Sequence, residues 1–237
     1  MNRNNKHAND EAIFDILFQN LPAGVGHCAA TLPGDQWQWE RRINRRNPKR
    51  TWKFFGCNNT DKKSEILTMQ RVKEEQNAIY EKIGCGSRLL LPIHGRENFS
   101  HMMGLLNQKM SVIYADFCGS WCKENNFSLQ RMFGRQLLAD ESFLIITSQI
   151  KCPRQDELSF ELLRAVANNE YAFEDPMFNN THMNTPNFHY ATKGIETLVQ
   201  GNAAAGGYFA KLVYFNMYEG DRMGHEMLSF CYQIEKK

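Results

Sequence analysis

The sequence predicts an α/β domain whose mainly parallel sheet finishes in an antiparallel hairpin. Two observations carry this. Short apolar runs of strand type alternate with stretches of helical periodicity through most of the chain, the pattern of βαβ crossovers. The chain then closes on two aromatic-rich extended runs, Tyr208 to Tyr218 and His225 to Ile234, joined by the turn-type segment Glu219 to Gly224. With 237 residues, the chain is long enough for one sizeable domain and short for two.

The elements follow in order. Residues 1–9 are Asn-rich and read as a flexible terminus, leaving 10–237 as a single domain. From about Asp10 to Asn20, Ile13, Phe14, Leu17 and Phe18 recur at helical spacing. His27 to Leu32 reads as a strand stopped by Pro33-Gly34, and Gln36 to Asn47 as a helix carrying Trp37, Trp39 and a basic face. Trp52 to Cys57 is strand-like and ends in Asn58-Asn59. Ser64 to about Ile83 is helical, with Ile66, Met69, Val72, Ile79 and Ile83 on one side. Arg88 to Ile93 is a buried-type strand ending in His94-Gly95-Arg96, followed by a short helix over Phe99 to Leu106. Ser111 to Phe117 and Phe143 to Ser148 are further strands, with a helix near Leu129 to Leu138 between them and another from about Asp156 to Asn168. The segment 171–192 is rich in Asn, Thr, Pro and His, is broken by Pro176 and Pro186, and reads as a lid or substrate loop. A short helix, Lys193 to Gln200, precedes the hairpin.

Composition narrows the function classes. Hydrophobic residues are 42%, charged residues 23% and the formal net charge is +2, so bulk charge does not make the chain a polyanion binder. No apolar run long enough to span a membrane occurs, and the N-terminus lacks a secretory apolar core. Seven cysteines at irregular spacing do not form a secreted disulfide framework, which points to reducing cytosol. Charge is nevertheless concentrated. Arg41, Arg42, Arg45, Arg46, Lys49, Arg50 and Lys53 fall in one acid-free stretch flanked by Trp37, Trp39 and Trp52. Basic side chains bind phosphates and aromatics stack on unpaired bases, so the first six are candidate nucleic-acid contacts, against the alternative of a solvated helix face with inward tryptophans. Cys118 and Cys122 lack the second ligand pair that a structural zinc site needs, so no metal is expected. His182 and His189, in the 171–192 segment, are candidate substrate contacts against a reading as polar surface.

The densest chemistry lies in Ser111 to Trp121, where a strand runs into Asp116, Phe117, Cys118 and Gly119. Ligands of open α/β sheets gather at the carboxyl ends of the strands, and an acid there followed by glycine suits a site. The order of five βα units, a short helix and a terminal hairpin resembles the class I S-adenosylmethionine-dependent methyltransferases. The segments Thr31-Leu32-Pro33-Gly34 with Glu40, and Asp116-Phe117-Cys118-Gly119, are similar to those of divergent viral or mobile-element members. The resemblance implies a Rossmann-like three-layer sandwich with a mainly parallel seven-stranded sheet. It also implies S-adenosylmethionine as cofactor, held by Thr31, Pro33, Gly34, Asn58, Asn59, Gly95 and Arg96, with Asp116, Phe117 and Cys118 as catalytic candidates.

The chain departs from the family pattern in three places. Strand one lacks its acid and Gly-x-Gly loop; strand two ends in Cys57-Asn58-Asn59, where the family has a ribose-binding acid; and no proline follows Asp116. The expected function is methyl transfer, with DNA or RNA as substrate. The alternative is a catalytically degenerate module of the same fold that binds nucleic acid or a protein partner. Neither a Gly-x-Gly-x-x-Gly nor a Walker signature is present, which ranks other nucleotide-dependent Rossmann enzymes last.

Overall fold

The computed structural model describes residues 6–23, 26–33, 37–48, 50–57, 63–82, 86–90, 98–150, 186–219 and 226–237. Its helices are α1 Lys6–Asn20, α2 Gln38–Arg46, α3 Lys63–Lys82, α4 Asn98–Leu105, α5 Lys123–Gly134 and α6 Pro186–Ala205. The strands are β1 His27–Thr31, β2 Trp52–Gly56, β3 Gly86–Leu90, β4 Met110–Ser120, β5 Leu138–Gln149, β6 Tyr208–Glu219 and β7 Glu226–Lys236. They form one sheet in the order β3-β2-β1-β4-β5-β7-β6. The pairs from β3 to β5 are parallel, and β7 is antiparallel to both β5 and β6.

Helices cover both faces, so the central strands are apolar on both sides and read as nearly continuous apolar runs. Strand β4 shows the division. Val112 and Tyr114 join Ile13, Phe14 and Leu17 of α1, Ile43 of α2 and Val72 of α3 in one core. Ile113, Ala115 and Phe117 join Met102 and Met103 of α4, Leu129 and Met132 of α5, and Ile195 and Val199 of α6 in the other.

Of the boundaries that differ from the sequence expectation, three stand out. Helix α1 starts by Lys6, ahead of Asp10, and buries Asn9 and Asp10. Polar residues that bury through hydrogen bonds leave no trace in hydrophobic periodicity. Helix α5 ends at Gly134, and Leu138, expected to be helical, opens β5. The turn between them is closed by Leu137 N–H to the Met132 carbonyl at 2.9 Å, and it places Gln136 at φ 52°. Helix α6 begins at Pro186, inside the expected loop, because a proline in the first helical turn forfeits no hydrogen bond. The expected helix at 156–168 and the rest of the loop, 171–185, lie outside the described residues.

One close approach shapes the carboxyl edge. A Cβ on Gly56, at the end of β2, would lie 2.7 Å from both the Pro33 ring and the tip of Trp37. Only glycine lets Pro33 and Trp37 lie this tightly against the end of β2. Trp37 is itself held in the left-handed region at φ 50°, with its indole N–H donating to the Met69 carbonyl of α3 at 3.2 Å.

Candidate functional site

The sheet reverses direction between β1 and β4, which makes their carboxyl ends the place where a crevice opens. Thr31, the last residue of β1, pairs with Tyr114, and Asp116 stands two residues further along β4. Alternation along the strand turns Asp116 toward α1, on the same face as Tyr114. Asp116 is only 6% exposed. Lys6 of α1 donates to Oδ2 at 2.5 Å, and the Thr147 hydroxyl of β5 donates to Oδ1.

Asp116 is one end of a polar row that crosses four strands. The register aligns Asp116 with Thr147, Thr147 with Ser229 and Ser229 with Asn216. The first turns of α1 satisfy this row from above. Asn9 donates to the Ser229 hydroxyl at 3.1 Å, and its carbonyl oxygen accepts from Tyr214 and Asn216, each at 3.2 Å. One turn carries both Asn9 and Asp10, and Asp10 accepts from Arg42 of α2 at 2.6 Å. Burial pushes the Asp10 carboxyl up to about 7, against the opposing pull of Arg42 and Lys6, and neighbouring Asp116 adds to the rise. Lys6, Asn9, Asp10 and Thr147 were not legible as site residues. The available signal was a lone polar residue (Thr147, Ser229) at an inward position near the end of an apolar strand.

At the neighbouring strand end, Thr31 donates to Glu40 Oε1 at 2.5 Å, with both side chains buried. The acid absent from β1 itself is therefore delivered to its carboxyl end by the first turn of α2. At the end of β2, Pro33 and Trp37 close over Gly56, and Cys57 is fully buried, which pushes its thiol far up. Gly34, Asn58, Asn59, Gly95 and Arg96 lie outside the described residues, as do Lys49 and His182. His189 falls within α6.

The remaining candidates separate. Phe117 faces the opposite core, packed edge-on against Phe99 at 5.6 Å and Trp121 at 5.9 Å, so its ring is committed to packing. Cys118 lies within β4. Burial raises the Cys122 thiol to about 11, and no group of three or more potential metal ligands occurs among the described residues.

Part of the basic stretch is engaged by α1. Arg42 pairs with Asp10 and Glu11, and Arg46 with Glu11 and Asp15. Arg50 is buried and donates to the carbonyls of Phe18 at 3.0 Å and Leu21 at 2.9 Å, capping the end of α1. These three guanidiniums also lie over Phe14 or Phe18 at 5.3 to 5.9 Å. Arg41 and Arg45 make no ion pair among the described residues, and Arg45 is exposed. The three tryptophans are core: Trp39 packs between Phe14 and Tyr114, Trp52 packs between His27 and Phe54, and Trp37 is fully buried.

No helix among the described residues is long and apolar enough to cross a membrane. No protein-family model matches the chain, and no curated protein matches its sequence. Its fold is that of class I S-adenosylmethionine-dependent methyltransferase structures. Trm5b from Pyrococcus abyssi aligns at TM-score 0.52 and 9% identity over 96% of this chain and 48% of that one. TYW2 of M. jannaschii, solved in complex with AdoMet, aligns at 0.51 and 11% over 98% and 76%. A SAM-dependent methyltransferase from Methanosarcina mazei aligns at 0.53 and 12% over 94% and 98%. The chain thus spans about half the length of Trm5b.

Proposed function

We propose that this chain is an S-adenosylmethionine-dependent methyltransferase acting on nucleic acid, of the divergent viral or mobile-element type. The observation that carries the first part is the pair of buried carboxylates, Glu40 and Asp116, at the carboxyl ends of the two strands flanking the switch point. Such a donor set fits a ligand that carries a sulfonium and an α-ammonium group, because each carboxylate offers a positive group a partner of opposite sign in a weakly screened place. Thr31 and Glu40 would hold the cofactor, which when bound supplies a sulfonium-activated methyl.

The chain's own residues provide alignment. Thr147 fixes one oxygen of Asp116, and the other faces the place now taken by the Lys6 ammonium, where an acceptor would be oriented. Calorimetry with S-adenosylhomocysteine tests this reading. Saturable heat is expected, and none at millimolar ligand would count decisively against it.

Nucleic acid as acceptor class is supported by Arg41 and Arg45, the two arginines of α2 that make no ion pair with α1. Reversing both charges is expected to weaken single-strand binding and to reduce its log–log salt slope by about 1.4. An unchanged slope would remove nucleic acid from the proposal.

A further inference from the structure

We propose that Lys6 is itself a methylation site of this protein, modified in cis at Asp116. The inference rests on the methyltransferase reading above. Lys6 Nζ lies 2.5 Å from Asp116 Oδ2, in the crevice where an external acceptor would be aligned. The placement runs against local preference. A cation in the first turn of a helix opposes the helix dipole, and α1 has no acid in that turn to offset it. Asn9 and Asp10 instead anchor this turn over the sheet, so the amine is delivered to the carboxylate by a fixed backbone. The Lys6 side chain is 31% exposed, which leaves a path for a methyl donor from outside.

The chemistry balances with a sulfonium methyl donor as the second reactant. The ammonium gives up one proton to water, while Asp116 Oδ2 keeps the amine in place. The freed lone pair attacks the methyl carbon, an N–C bond forms and the C–S bond breaks. Sulfur keeps the bonding pair and departs as a neutral thioether, leaving N-methyl-lysine. An external acceptor would compete with Lys6 for the same carboxylate, so its presence slows the self-reaction.

The test incubates the full chain with S-adenosylmethionine and maps its lysines by mass spectrometry. A gain of one methylene mass confined to the Lys6 peptide is expected, lost in K6R and strongly reduced in D116N. A second readout needs no cofactor. The contact with Asp116 covers the Lys6 amine, so D116N should speed its labelling by an amine-reactive ester while it slows methylation. A structural staple would show the faster labelling without any methylation. Saturable S-adenosylhomocysteine heat with an unmodified Lys6 overturns this proposal and leaves the methyltransferase reading intact. Equal modification of many lysines, or methylation indifferent to D116N, also overturns it. Absence of both heat and modification removes the reading and this proposal together.

Discussion

Arg42→Ala should destabilise the fold by about 3–5 kcal/mol at alkaline pH and by clearly less near pH 6. Arg42 binds the buried Asp10 at 2.6 Å, holds half-exposed Glu11 with its other nitrogen, and lies over the Phe14 ring. Glu11 is open to solvent and contributes little. The large effect comes from Asp10, which is 2% exposed. Its carboxyl already stands at about 7, raised by burial from an ordinary value of 3.8. Between those limits the folded state binds more protons than the unfolded chain, so the Asp10 contribution to stability falls as pH rises, and above about 7 its cost is fully expressed.

Removing the guanidinium takes away the strongest influence holding that value down, so it climbs further. Below pH 6 the mutant carries a neutral Asp10 and loses mainly hydrogen bonds, about 1–2 kcal/mol. At pH 8.5 it must bury an unpaired charge or hold a proton against the solvent. Urea unfolding at the two pH values measures the difference, and adding Asp10→Asn should recover most of the alkaline loss. A loss equal at both pH values would show that Arg42 acts through packing alone.

The same pair explains why part of this molecule was hidden in its sequence. The strands were legible because their evidence is local: an apolar run such as Ser111 to Phe117 declares itself, and the closing hairpin carries its own turn. The fate of the arginines is not local. Arg42 and Arg46 find their acids 31 to 35 residues earlier in the chain, on a helix whose polar turn shows no periodic signal. A stretch without acids of its own therefore looked like a free basic surface, whereas Arg42 and Arg46 are paired with acids of α1 and Arg50 is buried at its end. The carboxyl edge was legible in half. Asp116 announced itself by following an apolar strand. Glu40 was visible as an acid, but its arrival at the end of β1 depends on the sharp entry into α2 at Trp37, a left-handed residue that no propensity favours. Lys6 lay in a segment whose asparagines suggested fraying, although Asn9 is the residue that ties it down.

On the proposed methyltransferase reading, Asp116→Ala is the change with the largest expected effect on activity, a fall of about 10²–10⁴-fold in methyl transfer, with S-adenosylhomocysteine affinity within about threefold of the parent. The carboxylate is held from two sides, by Thr147 on one oxygen and Lys6 on the other. That rigidity suits a group that must align an acceptor, since misplacement by about an ångström costs two orders of magnitude. The structural cost should be modest. Lys6 can turn toward solvent, while the fully buried Thr147 hydroxyl loses its acceptor at about 1–3 kcal/mol. Thr147→Val separates the two contributions, because it keeps the charge and frees its orientation. It should lower turnover by less than Asp116→Ala does and leave the Lys6 pair in place. Should the alanine variant instead keep turnover within about threefold while Thr147→Val lowers it, the alignment would reside elsewhere along the polar row and Asp116 would be a structural anchor for α1.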